Sequence, residues 1–194
     1  LGNLAAALVV ASFTLTTGAW AAWSLVPQLA AAVALCAGLV LRDTLTGSMA
    51  TSLLGLISAG YLLNLKVATA TGPSACHIDD VFDCDKLNSS EWSMAFGIPI
   101  SLIGMAFYGG LLLAALQAPT GSRRTPTFDR LNAGFALFSS TYSLFLLGVS
   151  KQLGVFCIVC ITMYAANFLL LWAGFRGLQE RGARLLADPW PTAT

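Results

Sequence analysis

Charge is the scarcest feature of this sequence. Its 194 residues include ten Lys or Arg and nine Asp or Glu, so 10% are charged, against about 25% in soluble domains. With 57% of residues hydrophobic, a water-soluble domain is excluded. Histidine occurs once, as His77. It lies in an acidic, solvated stretch and reads as a surface residue rather than a metal ligand. No basic stripe interleaved with aromatics is present, which argues against nucleic acid as a partner. There is no internal repeat. No basic region precedes the first apolar run, so that run reads as a membrane anchor rather than a signal peptide.

Uncharged runs dominate what remains. They cover 41 residues from Leu1 to Leu41, 22 from Thr44 to Leu65, 31 from Trp92 to Ser122, 20 from Leu131 to Ser150 and 24 from Gln152 to Phe175. A helix crosses a bilayer with about 20 apolar residues, so each run can span. The first is too long for one helix, and Pro27 is read as dividing it into helices over 4–24 and 27–41, with Trp20 and Trp23 at the membrane boundary. Six spans result. Arg42, Arg123, Arg124, Arg130, Arg176, Arg181 and Arg184 then share one side, and Lys66, Lys86 and Lys151 the other. The basic-residue bias puts the arginine side, with both chain ends, in the cytoplasm.

One long polar stretch, residues 67–92, lies on the opposite side. It holds Asp79, Asp80, Asp83, Asp85 and Glu91, and burying even one such charge in lipid costs about 2.5–3.5 kcal/mol. This segment therefore sits in water, with Gly72–Pro73 turning the chain at its start. Asn88 followed by Glu91 resembles a capping box. It predicts a short helix lying flat on the membrane and carrying Trp92 and Phe96 on one side, before Gly97–Ile98–Pro99 opens the next span. Residues 118–130 read as a connector and 188–194 as a loose tail.

Of the five cysteines, Cys36 falls mid-membrane among Ala, Val and Leu and reads as a small hydrophobe. Cys76, Cys84, Cys157 and Cys160 fall on the non-cytoplasmic side. That compartment is oxidising, and two static bridges are one reading, since Cys76 and Cys84 could close a small loop. The spacing of Cys157 and Cys160 favours another. They are read as beginning a helix, where the dipole favours thiolate and Cys-x-x-Cys forms a reversible, reactive disulfide. Tyr164 and Asn167 continue the same helix face. A polar stripe under a thiol pair within the membrane is a functional-site signature, suited to a redox-active ring compound with oxygens to hydrogen-bond. Zinc held by Cys76, His77, Cys84, Cys157 and Cys160 is the competing chemistry, but the Cys76–Cys84 spacing is too wide for usual zinc knuckles.

Together, the Cys76–Cys84 spacing, LNSSEW with Phe96–Gly97, CIVCITMYAAN and FRGLQE resemble the vitamin K epoxide reductase family over about residues 47–182. The resemblance implies an all-α membrane protein: a four-helix transmembrane bundle around a quinone, with helices near 47–67, 98–118, 130–150 and 155–176. Two extra N-terminal helices and a short horizontal helix complete the expected fold. It implies that Cys76 and Cys84 exchange disulfides with an outside thiol protein, that Cys84 passes electrons to Cys157, and that Cys160 is the thiol beside the quinone. Tyr164 lines that pocket, with Asn167, Ser90, Trp92, Phe96 and Ser101 as further binding residues. Ser89 and Ser90 belong to the capping helix. Ile100 departs from the pattern, standing where some relatives carry a quinone-binding Asn, with Ser101 its nearest substitute.

The expected domains are 1–45 (extra helices), 46–182 (catalytic) and 183–194 (cytoplasmic tail). The expected cofactor is ubiquinone, menaquinone or vitamin K, without a metal. The expected partner is a separate periplasmic or lumenal thioredoxin-like protein, since some bacterial relatives carry such a domain fused and no such segment follows in this sequence. The expected location is a bacterial inner membrane with the cysteines on the periplasmic side. Epoxide reduction in an endoplasmic reticulum, or a non-enzymatic membrane protein with two structural disulfides, are the alternatives.

Overall fold

A computed structural model describes residues 21–67, 76–117 and 126–187. Helix 4–24, apart from its last residues, lies outside them, as do the Gly72–Pro73 turn, most of the 118–130 connector and the 188–194 tail. The described chain is an all-α membrane protein. Its helices are α1 (Ala21–Arg42), α2 (Thr44–Val67), α3 (Cys84–Ser89), α4 (Ile100–Gln117), α5 (Pro126–Leu153) and α6 (Ile158–Ala187). All but α3 contain a stretch long and apolar enough to cross a membrane.

Pro27 does not divide the first run. It sits inside α1, which is continuous from Ala21 to Arg42. One missing backbone donor near a membrane-helix end is tolerated, because the remaining ladder satisfies the rest of the backbone. The helix breaks instead at Asp43. Its carboxylate accepts from the Thr46 backbone N–H at 2.8 Å and so caps α2. Gly47 lets the two helices close up, since any Cβ there would collide with the Val40 backbone.

Helix α2 is central, packing on α1, α4 and α6, while α5 packs mainly on α6. The buried face of α2 carries Leu45, Leu54 and Leu62 but is otherwise rich in small residues, among them Ser48, Thr51, Ser52, Gly55, Ser58 and Ala59, which allow close helix approach in lipid. The Ser48 and Thr51 hydroxyls return to the carbonyls of Thr44 and Gly47, both at 2.7 Å.

The end of α5 is set by Gly154, at φ +67°. The Gly154 N–H reaches the Lys151 carbonyl (3.3 Å) and the Val155 N–H the Ser150 carbonyl (3.1 Å). This is a Schellman closure with glycine in the left-handed position. The next three residues, Val155–Cys157, run extended before α6 begins.

Candidate functional site

The segment carrying Cys76 and Cys84 is built by its acids. The Asp79 carboxylate accepts from the Val81 and Phe82 N–H groups at 2.9 and 2.7 Å. The Ile78 N–H donates to the Phe82 carbonyl at 2.9 Å. His77 and Asp83 then pair across the turn, with Nδ1 3.2 Å from Oδ2. These contacts bring Cys76 opposite Cys84, and the two form a disulfide with Cα atoms 5.6 Å apart. His77 is exposed, as its solvated setting predicts.

The same turn is attached to the extended strand ahead of α6. Phe82 and Phe156 form a parallel bridge. The Phe156 N–H donates to the Val81 carbonyl at 2.7 Å and the Asp83 N–H to the Phe156 carbonyl at 3.0 Å. The register sets Cys84 beside Cys157. The sulfurs of Cys76, Cys84 and Cys157 all lie within 4.8 Å of one another. All three residues are buried, at 0%, 0% and 2% exposure, within an apolar cluster that includes Leu62, Ile158 and Val159. Two of the three sulfurs are bonded to each other, so as it stands the cluster offers a metal a single thiol.

Cys157 is not inside the helix, as its spacing suggested. It precedes α6 and caps it, its sulfur accepting the Cys160 N–H at 3.2 Å. Cys157 therefore faces the loop pair, while Cys160 packs against the same cluster and also lines a cavity. Cys157 and Cys160 are both free thiols.

The cavity measures about 560 Å³, within the usual range for small-molecule sites. All six residues singled out beside the cysteines, Tyr164, Asn167, Ser90, Trp92, Phe96 and Ser101, contribute to its lining. Phe96 is fully exposed and so meets the cavity only at its rim. Asn167 is already engaged. Its amide oxygen accepts from the Tyr108 hydroxyl and its nitrogen donates to Ser143 Oγ, both at 2.8 Å. Tyr164 shares the lining with Ser150. Tyr108, buried on α4, was missed from sequence, although a phenol amid an apolar span is itself a signal.

The roof differs from expectation. The short helix starts at Cys84, not Asn88, because Asp83 caps it by accepting the Lys86 N–H at 3.0 Å. Asn88 instead donates to the Leu62 carbonyl at 2.9 Å. Lys66 clamps the other side of the roof, donating to the Asn88 carbonyl at 2.7 Å and to Ser93 Oγ at 2.6 Å. Trp92 lies in a separate 3-10 turn, Glu91–Ser93, and packs edge-on against Phe145. Gly97–Ile98–Pro99 does not open the span either. Met94–Ala95 pairs antiparallel with Ile98–Pro99 around Phe96 and Gly97, both at positive φ, as a two-residue hairpin requires.

The fold and site thus define a multi-pass membrane protein with a disulfide and two free thiols stacked above an apolar, aromatic-lined cavity. Residues 48–175 match the model of the vitamin K epoxide reductase family, and the chain belongs to that family. Similar proteins include the Arabidopsis thaliana thiol-disulfide oxidoreductase LTO1, 31% identical over 134 residues, covering 64% of this chain and 34% of that protein. Mus musculus vitamin K epoxide reductase complex subunit 1 is 29% identical over 143 residues, covering 68% of this chain and 89% of that protein. The chain therefore spans about a third of the plant relative and most of the mouse one.

Proposed function

We propose that this protein is a membrane thiol–disulfide:quinone oxidoreductase that oxidises a thioredoxin-like protein and so supports disulfide formation. The reading rests on one observation: the loop disulfide lies against Cys157, while Cys160 opens onto a cavity of about 560 Å³. A partner dithiol reduces Cys76–Cys84, taking the disulfide itself. The Cys84 thiolate attacks Cys157 in an oxidised Cys157–Cys160 pair, forming Cys84–Cys157 and releasing Cys160 as thiolate. Cys76 then attacks Cys84, which restores the loop disulfide and leaves the inner pair as a dithiol. The arrangement of a loop bridge above two free thiols corresponds to this last state.

A quinone in the cavity supplies an acceptor for the two electrons and two protons released when Cys157 and Cys160 form their disulfide. Cys160 is the thiol that borders that space, and the lining fits a ring: aromatic walls, with Tyr164, Ser90 and Ser101 as polar groups. Asn167 acts by shape, its amide being committed to Tyr108 and Ser143. Domains 1–45, 46–182 and 183–194, a separate partner protein, a bacterial inner membrane and a periplasmic cysteine face belong to the same proposal. Ubiquinone and menaquinone are the favoured acceptors. Likeness to the mouse relative over most of its length supports a second reading, epoxide reduction. Ile100, in the lining, offers an epoxide no hydrogen bond, which favours the first.

The test is quinone reduction followed optically with a reduced thioredoxin-like donor. Wild type turns over, and Cys157→Ser abolishes turnover. Equal rates in the two would refute the relay. Epoxide turnover by the purified protein separates the second reading from the first.

A further inference from the structure

Helix α1 lies outside the stretch 48–175 that matches the family, yet it is tightly built into the molecule. One face, Leu25, Leu29, Ala32, Cys36 and Val40, is buried, while Val26, Leu35 and Leu41 are exposed. This is the stripe of a helix laid in a groove, here the groove between α2 and α6. At one end the Val40 carbonyl accepts from the Arg176 guanidinium at 3.4 Å, and the Val40 backbone sits against Gly47. At the other end, Leu25 and Leu29 belong to the same buried cluster as Cys76, Cys84 and Cys157. Neither leucine lines the cavity.

We infer that α1 is a wall of the thiol site, in which Leu25 and Leu29 are positioning residues that seal the three-sulfur cluster on the side away from the cavity. Their work is exclusion. An open wall would let water and small thiols or electrophiles meet Cys157 and the loop disulfide directly. A closed one leaves Cys157 with two neighbours, the loop pair and Cys160. Shielding of reactive groups from side reactions is a recognised use of an enclosed site. The far end of α1 is docked by contacts that include neither leucine, so trimming them opens the wall and leaves the helix in place.

The experiment uses the full chain in detergent and measures two rates. One is alkylation of Cys157 by N-ethylmaleimide, read by peptide mass mapping. The other is reduction of Cys76–Cys84 by dithiothreitol. Neither involves quinone, so failure here is separable from failure of the proposed function. In Leu25→Ala/Leu29→Ala both rates rise by about tenfold or more, as a local opening gives. They return towards wild type in Leu25→Met/Leu29→Met, and they do not change in the lipid-facing control Leu35→Ala/Leu41→Ala. Cys36, buried midway along α1, reports on docking. If it too becomes labelled, the helix has come away, and the single variants Leu25→Ala and Leu29→Ala decide the matter. Wild-type rates in a variant with Cys36 protected, or equal acceleration by the lipid-facing control, overturn the inference.

Discussion

Removing Cys160 is the sharpest perturbation of the relay. In Cys160→Ala the inner pair can no longer close, and Cys76 and Cys157 are left to compete for Cys84. The geometry sets the terms. The three sulfurs lie within 4.8 Å, and a disulfide needs about 2.05 Å, so less than about 3 Å must be closed, within the swing of cysteine side chains. The backbone favours Cys84 over Cys76 as the partner of Cys157, because the residue before Cys84 donates to the carbonyl of the residue before Cys157 at 3.0 Å. Two bridges of comparable reach then share one sulfur. A difference of about 1.4 kcal/mol between them is a tenfold ratio, so the Cys84–Cys157 to Cys76–Cys84 ratio should lie between about 0.1 and 10. In Cys76→Ala/Cys160→Ala no competitor remains, and Cys84–Cys157 should form fully under mild oxidation. Non-reducing peptide mass mapping reads both variants. Finding Cys76–Cys84 alone in the first variant and unpaired thiols in the second would refute the argument from proximity.

Three further outcomes are expected. Gly154→Ala forces a Cβ into the left-handed region at φ +67° and should cost about 1–2 kcal/mol, with a smaller loss for Gly154→Asn, as thermal unfolding in detergent will show. Lys66→Met removes both hydrogen bonds from the ammonium to the roof. It should speed hydrogen exchange over residues 84–93 and raise the quinone KM more than it lowers kcat. Asn167→Leu deletes the amide bonds to Tyr108 and Ser143. At about 0.6 kcal/mol per buried membrane hydrogen bond it should destabilise by about 1 kcal/mol, measurable by the same unfolding assay.

Much of this site is legible before any coordinates are seen. Charge-free runs report spans directly, because lipid leaves the backbone few choices. Cys160, Tyr164 and Asn167 share a face by helical spacing alone, and all three line the cavity. What escapes is long-range backbone pairing. Nothing in the composition of Val81–Phe82 or Phe156 announces that these segments will bridge, yet that bridge is what brings Cys84 to Cys157. Local capping was misjudged for a related reason. Asp83 and Asn88 are both good caps, and the choice between them was made by tertiary contacts, with Leu62 taking the Asn88 amide and freeing the start of the helix for Asp83. Pro27 misled because a proline rule drawn from water was applied to a helix whose remaining ladder is protected by lipid.

The outer bridge is wholly buried where it stands, against Cys157. No docking protein can touch it there, and it cannot lie against Cys157 while held in another protein's grip. In the proposed relay, loading from a partner and unloading to Cys157 would therefore alternate, like the two doors of an airlock. The catch on the inner door is two backbone hydrogen bonds, so among substitutions only a proline at a donor position, such as Phe156→Pro, deletes one outright.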